Sequence, residues 1–132
     1  MMTVTPLYAG LVGLLFVFLS TRVVHTRREK QVSIGDGDHS ELSKRIRVQG
    51  NCAEYAPLAL ILLGMAELQG APGWVLHALG LMLLAGRVLH AVGLGATPQK
   101  VNARIVGMAL TFLMIIIAAL ANIGHAIIRG LG

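Results

Sequence analysis

Long apolar runs separated by short polar segments dominate the chain and predict four membrane-spanning helices. The first helix is predicted at residues 6–25, where no side chain is charged until Arg22. At about 1.5 Å per residue it can nearly cross a hydrocarbon core of ~30 Å. The other helices are predicted at residues 42–69, 74–94 and 99–129. We therefore expect residues 1–132 to form one all-α domain, an integral membrane bundle of four helices running up-down-up-down.

Composition supports lipid rather than water as the surroundings of these helices. Hydrophobic residues make up 55% of the chain and charged residues 13%, against about 25% charged in soluble domains. The single cysteine, Cys52, excludes a disulfide scaffold, and the five histidines show no metal-ligand spacing. A net charge of +5 is compatible with nucleic-acid binding, but at this hydropathy the cations orient the chain in the membrane instead.

Residues 26–44 change abruptly to polar composition and are predicted to form a solvated loop. The Gly35–Asp38 segment is a turn signal, because glycine and aspartate tolerate positive φ. A calcium loop of the EF-hand type starting at Asp36 needs glutamate at its twelfth position, which is Arg47 here, so this type of site is excluded.

The first apolar run has no basic segment before it and ends in arginine. We therefore expect a retained helix rather than a cleaved signal peptide.

The distribution of cations predicts the orientation in the membrane. With four spans, both termini lie on one side, and the loop at 26–44 and the turn near 95–100 lie on the other. Of the 11 lysines and arginines, Arg129 alone belongs to the side of the termini. The others are Arg22, Arg27, Arg28, Lys30, Lys44, Arg45, Arg47, Arg87, Lys100 and Arg104. The positive-inside rule then places both basic connections in the cytoplasm and both termini opposite.

Polar residues inside the apolar segments are the candidates for chemistry. On the second helix Arg47, Asn51 and Glu54 share one face, and Glu54 lies roughly 13 Å beyond Arg45. The third helix carries Arg87 and His90, and the fourth begins with Arg104. Charges at such depth normally face protein, water or a partner ion. Six polar groups at one depth, with cations in excess, predict a site for an anionic ligand.

Each of these residues also has a purely structural interpretation, which the sequence leaves open. Arg87 and Arg104 could extend to the lipid headgroups. Glu54 could simply neutralise Arg47, and His90 could be a packed, hydrogen-bonded histidine. If the charges do form a site, one subunit is too small to shield them all from lipid, so a second copy should complete the enclosure. Small residues four apart would permit close helix approach, as in Ala9–Gly13 and Ala103–Gly107.

Three segments resemble the membrane-associated proteins in eicosanoid and glutathione metabolism, the MAPEG family. The most specific is Arg47–Pro57, RVQGNCAEYAP, in which arginine, asparagine, glutamate and proline follow the spacing of the family's second helix. Residues 86–90, GRVLH, resemble the third-helix motif, and residues 104–108, RIVGM, the start of the fourth helix. The resemblance covers nearly the whole chain.

The resemblance implies a homotrimer with glutathione held between neighbouring subunits near the cytoplasmic leaflet. Arg47 and Arg87 would meet its carboxylates, and Glu54 its amino group. The positions that would hold glutathione are Arg47, Asn51, Glu54, Tyr55, Arg87 and His90. Arg104 matches the arginine that stabilises the thiolate, and it is the predicted catalytic residue. The implied reaction conjugates or reduces a hydrophobic electrophile that enters from the membrane lipids.

One departure from the family bears on activity. Well-studied eukaryotic enzymes of the family carry a tyrosine one turn after the His90 position, and this chain has Leu94 there. The family also includes a non-catalytic lipid-binding member, so a lipid- or glutathione-binding protein without turnover is the alternative. A small four-helix multidrug transporter is less favoured, because the first helix holds no acid in its apolar part and arginines accompany Glu54.

Overall fold

A computed structural model describes residues 1–131 and consists of four helices joined by short connections. The helices are α1 (Val4–Lys30), α2 (Ser40–Leu68), α3 (Gly73–Gly95) and α4 (Val101–Gly130). The predicted all-α four-helix bundle is confirmed. Predicted and observed helix ends agree within two residues, with the exception of the end of α1.

The first helix continues five residues beyond its predicted end, so the prediction of a loop from residue 26 is wrong at this point. Thr26 is buried inside α1, where its hydroxyl donates to the carbonyl of Arg22 at 2.8 Å and accepts a hydrogen bond from Arg45 of α2. The change to polar residues marks the edge of the apolar region, whereas the helix ends only where Gln31 adopts a positive φ of 56°.

The connection between α1 and α2 contains the turn that the sequence predicts. Gly35, Gly37 and Asp38 have φ values of 69°, 56° and 61°. The backbone N–H of Asp38 donates to the carboxylate of Asp36 at 3.1 Å, and this hydrogen bond lowers the pKa of Asp36. The turn is thus closed by its own residues.

Large apolar side chains cover the outside of the bundle, and smaller ones fill much of its interior. Leu14, Phe18 and Leu120 are more than half exposed, whereas Ala59 and Ala118 are fully buried. Helices α1, α3 and α4 are each long and apolar enough to cross a membrane. An apolar exterior of this extent matches lipid as solvent, and the chain is a multi-pass integral membrane protein.

Helices α1 and α2 are joined at both ends by charged side chains. The carboxylate of Glu67, near the end of α2, accepts the backbone N–H groups of Thr3, Val4 and Thr5 at 2.6, 2.8 and 2.6 Å. These groups open α1 and have no partner within their own helix. At the other end Arg45 contacts the last turns of α1. The α1–α2 pair is therefore fixed in register.

Helices α3 and α4 cross at their glycines. A Cβ atom on Gly86 would lie 2.8 Å from the carbonyl oxygen of Gly107, and one on Gly107 would lie 2.6 Å from the carbonyl oxygen of Gly86. Gly93 packs equally closely on the backbone of Arg104. Gly107 therefore permits a close helix approach, as the sequence predicts, and this approach is to α3 of the same subunit.

Candidate functional site

The exposed part of the site is an ion pair on one face of α2. Arg47 and Glu54 lie two helical turns apart, and their side chains meet in a double contact, Nη1–Oε1 at 2.9 Å and Nη2–Oε2 at 3.2 Å. About half of each side chain is exposed, 59% for Arg47 and 49% for Glu54. Glu54 is the middle residue of α2, and the pair lies on the open surface of one subunit.

The buried part of the site centres on Arg87 of α3, whose exposure is 2%. Its Nη1 donates to Oδ1 of Asn51 at 2.6 Å, which links α3 to α2. Its Nε and Nη2 donate to the hydroxyl of Thr111 in α4 at 3.1 and 2.8 Å. Nη2 also lies 3.3 Å from the sulfur of Met108. One guanidinium thus joins three helices.

Tyr55 borders both parts of the site. Its ring lies under the guanidinium of Arg87, with 5.6 Å from the ring centroid to the central carbon, a cation–π arrangement. Its other neighbour is Phe112 of α4, whose ring is 5.4 Å away in an edge-on arrangement. Tyr55 is one residue after Glu54 and only partly buried, so it separates the exposed ion pair from the buried guanidinium.

The expectation that one subunit cannot hide Arg87 from lipid is wrong. Arg87 does not extend toward the headgroups either, because its N–H groups donate hydrogen bonds to Asn51 and Thr111 inside the bundle. No carboxylate contacts it among residues 1–131. The positive charge is held by neutral acceptors and one aromatic ring, an arrangement that is costly unless hydrogen bonds are complete.

His90 is buried, with 4% exposure, at the point where α3 meets α4. In the part of the chain that the structure describes, its ring makes no hydrogen bond. Arg104 is exposed one turn of α4 before Gly107, and its Nη1 lies 3.3 Å from the side-chain oxygen of Gln99. The structure therefore brings together Asn51, Tyr55 and Arg87 and pairs Arg47 with Glu54, whereas Arg104 forms no hydrogen bond or ion pair with these side chains.

Two residues in the site were not predicted from the sequence, Thr111 and Met108. Both hold the Arg87 guanidinium, and the Thr111 hydroxyl donates in turn to the carbonyl of Gly107 at 3.0 Å. A signal was present, because Arg104, Met108 and Thr111 follow the spacing of one helix face. The threonine hydroxyl is an acceptor as well as a donor, so it can hold a guanidinium without carrying a charge.

An apolar groove of about 310 Å³ lies between α1 and α2. Ala9, Gly13, Ala53 and Pro57 are among its lining residues, and none of the lining side chains is charged. The groove suits an apolar group rather than a charged peptide. Its small residues include the Ala9–Gly13 pair that the sequence marked for close helix approach.

Comparisons with known proteins agree with this architecture. The model of the MAPEG family matches residues 5–124. The chain is 39% identical over 122 residues to inner membrane protein YecN of Escherichia coli strain K12, and the alignment covers 92% of each chain. Inner membrane protein YecN of Escherichia coli O6:H1 strain CFT073 matches with the same identity and coverage. That name gives a location and no activity.

Proposed function

The chain belongs to the MAPEG family, and on this premise we propose that it is a membrane-bound, glutathione-dependent enzyme that conjugates or reduces hydrophobic electrophiles. The observation that carries the proposal is the exposed Arg47–Glu54 pair, whose carboxylate lies at the middle of α2. Ionised side chains at such depth are expensive unless they serve a ligand or a partner. Glutathione offers both complementary charges, carboxylates for Arg47 and an ammonium for Glu54.

The buried residues support the ligand side of this surface. Asn51 is held by Arg87, and Tyr55 packs against the same guanidinium, so both are fixed before a ligand arrives. The donors of Arg87 are already used inside the bundle. We therefore assign it the positioning of Asn51 and Tyr55 rather than direct contact with a carboxylate. The ring nitrogens of His90 remain free for a ligand within residues 1–131.

Arg104 is the proposed catalytic residue because it is exposed and forms no ion pair within the described residues. A free thiol has a pKa of about 8.5 and is mostly protonated at neutral pH. A guanidinium beside the sulfur lowers that pKa, and arginine keeps its charge when partly buried. The thiol releases its proton to solvent, and the thiolate sulfur attacks the electrophilic carbon. A carbon–sulfur bond forms while the leaving group, a halide in an aryl halide, departs with its electron pair.

In our proposal a second copy of the chain completes the site and shields its charged side chains from lipid. Arg47, Glu54 and Arg104 are all exposed on a single subunit, and a homotrimer would cover them with a neighbouring bundle. The basic connections would face the cytoplasm, where glutathione is available.

A non-catalytic glutathione- or lipid-binding role is the second candidate, and Leu94 favours it. Leu94 is 8% exposed and belongs to the apolar core. It has no hydroxyl, whereas the enzymes that the chain resembles carry a tyrosine at this position. A transporter is less favoured, because α1 has no acid before Glu29.

The proposal is tested with the variant Arg104→Ala in detergent-purified protein. Calorimetry should show glutathione binding in both proteins, because Arg47, Asn51 and Glu54 hold most of the tripeptide. The ultraviolet absorbance of the thiolate and the turnover of an aryl halide should appear in the wild type and be lost in the variant. Arg129→Ala, at the other end of α4, is the matched control and should behave as the wild type.

Each other outcome has a defined meaning. If the wild type binds no glutathione, the proposed function is wrong. If the wild type binds glutathione but forms no thiolate, the non-catalytic role replaces the enzyme. If Arg104→Ala retains the wild-type signal and rate, Arg104 is only a contact to the headgroups.

A further inference from the structure

The outer face of α1 carries a groove whose chemistry changes along its length. Its first part has a volume of about 570 Å³ and is lined by residues of α1, which are the apolar Phe16, Val17 and Val24, the polar Ser20, Thr21 and His25, and Arg28. A second depression of about 410 Å³ continues from it toward the end of the helix and shares Val24 and Arg28 with the first. The groove therefore runs from an apolar region to a basic one.

The length of the groove fits one leaflet of a bilayer. Twelve residues separate Phe16 from Arg28, which is about 18 Å along a helix. Half of a ~30 Å hydrocarbon core is about 15 Å. An acyl chain along Phe16 and Val24 would bring its headgroup to Arg28.

The cations at the basic end of the groove differ in whether they have partners within the chain. Arg22 lies over the ring of Phe18, and Arg27 donates to the carbonyl of Gly35 at 2.7 Å. The Arg28 guanidinium has neither a hydrogen-bond acceptor nor a carboxylate partner in the range that the structure describes. The one acid of α1, Glu29, lies 3.1 Å from His25 and does not neutralise an arginine. The end of α1 therefore carries one guanidinium, that of Arg28, without a partner in the described residues.

We propose that this α1 groove is a binding site for one anionic phospholipid, with the phosphate at Arg28 and an acyl chain along Phe16 and Val24. A zwitterionic lipid would bring its cationic group as well as its phosphate to the basic end of α1, so a lipid with net negative charge is favoured there. The apolar length of the groove and the unpaired guanidinium at its end match an acyl chain and a phosphate, the two parts of a phospholipid. The site is independent of the proposed glutathione chemistry, since none of its lining residues belongs to that site.

The experiment measures which lipid stays bound to the purified protein. Protein in micelles that contain equal amounts of dioleoyl phosphatidylglycerol and dioleoyl phosphatidylcholine is analysed by native mass spectrometry. The wild type should retain phosphatidylglycerol preferentially. Arg28→Gln should lower that preference by about fivefold, the effect of one cation near an anionic headgroup.

Two further variants separate a groove from diffuse charge. Lys30→Gln removes the same charge two residues away, but Lys30 lines neither depression, so the preference should change little. Val24→Trp fills the shared part of the groove and should lower the retention of both lipids. Equal retention of both lipids by the wild type would overturn the proposal. So would equal losses in Arg28→Gln and Lys30→Gln, or unchanged retention in Val24→Trp.

Discussion

At the scale of single residues, Arg87 holds neighbouring side chains in place although the sequence marks it as a charge for a ligand. Its guanidinium is buried and held by Asn51 from α2 and by Thr111 from α4. Losing one acceptor of a buried charge leaves its donor unsatisfied, which costs more than the net value of a hydrogen bond. The residues around Arg87 therefore matter for both stability and the orientation of Asn51.

Thr111→Val tests this role. The substitution keeps the shape of the side chain and removes the oxygen that accepts from Nε and Nη2 of Arg87. We expect the free energy of unfolding in detergent to fall by about 1–3 kcal/mol, and glutathione affinity to fall as Asn51 loses its fixed partner. Thr111→Ser keeps the hydroxyl and should restore most of the affinity. If Thr111→Val matches the wild type in both measurements, the hydroxyl has no role in positioning.

Glu54→Gln separates the two interpretations of the exposed ion pair. If Glu54 receives the ammonium of glutathione, removing its charge should weaken binding roughly ten- to hundredfold, as for a hydrogen bond between charged groups. The substitution also leaves Arg47 without its carboxylate partner, so stability is measured beside affinity. Calorimetry and thermal melting on the same preparation measure both quantities.

Glu41→Gln is the matched control for this prediction. Glu41 also pairs with an arginine of α2, Arg45, at 2.7 Å, but it lies at the start of the helix. Its substitution should leave glutathione affinity unchanged. Loss of stability in Glu54→Gln without loss of affinity would mean that Glu54 only neutralises Arg47.

At the scale of elements, the crossing of α3 and α4 sets the position of His90. Gly107→Ala would put a methyl group 2.6 Å from the carbonyl oxygen of Gly86, and a backbone cannot move aside as a flexible side chain can. We expect a loss of about 1–3 kcal/mol in the free energy of unfolding, typical of overpacking. Gly124→Ala, on the same helix with no atom within 4 Å, should be neutral or stabilising. Equal melting temperatures for the two variants would contradict a tight crossing.

At the scale of the whole molecule, one bundle shields Arg87 but leaves Arg47, Glu54 and Arg104 at its surface. We therefore expect three chains per particle when light scattering of the detergent complex is corrected for bound detergent. The small residues Ala9 and Gly13 of α1 remain open for helix contact, since a Cβ atom on Gly13 would meet nothing within 4 Å. A monomer that binds glutathione with full affinity would contradict a site between subunits.

The sequence was sufficient for the features that depend on local pattern. Apolar runs predicted the four helices, of which α1, α3 and α4 are long and apolar enough to cross a membrane, because lipid requires every backbone group to be paired within its own segment. The spacing of Arg47 and Glu54 placed both on one face of α2, and the structure shows that they pair. The resemblance of residues 47–57 identified the family that the comparisons then showed.

Only the tertiary structure decided which polar groups are inside the subunit and which are outside. Depth along each helix follows from counting residues, but the rotation of α3 and α4 about their axes depends on the fit of Gly86, Gly93 and Gly107. That fit turned Arg87 inward onto Thr111 and left Arg104 exposed. The end of α1 was decided in the same way, since Arg45 from another helix holds its last turns. Contacts between segments that are distant in the sequence leave no periodic pattern, and these contacts determine the rotation and the ends of the helices.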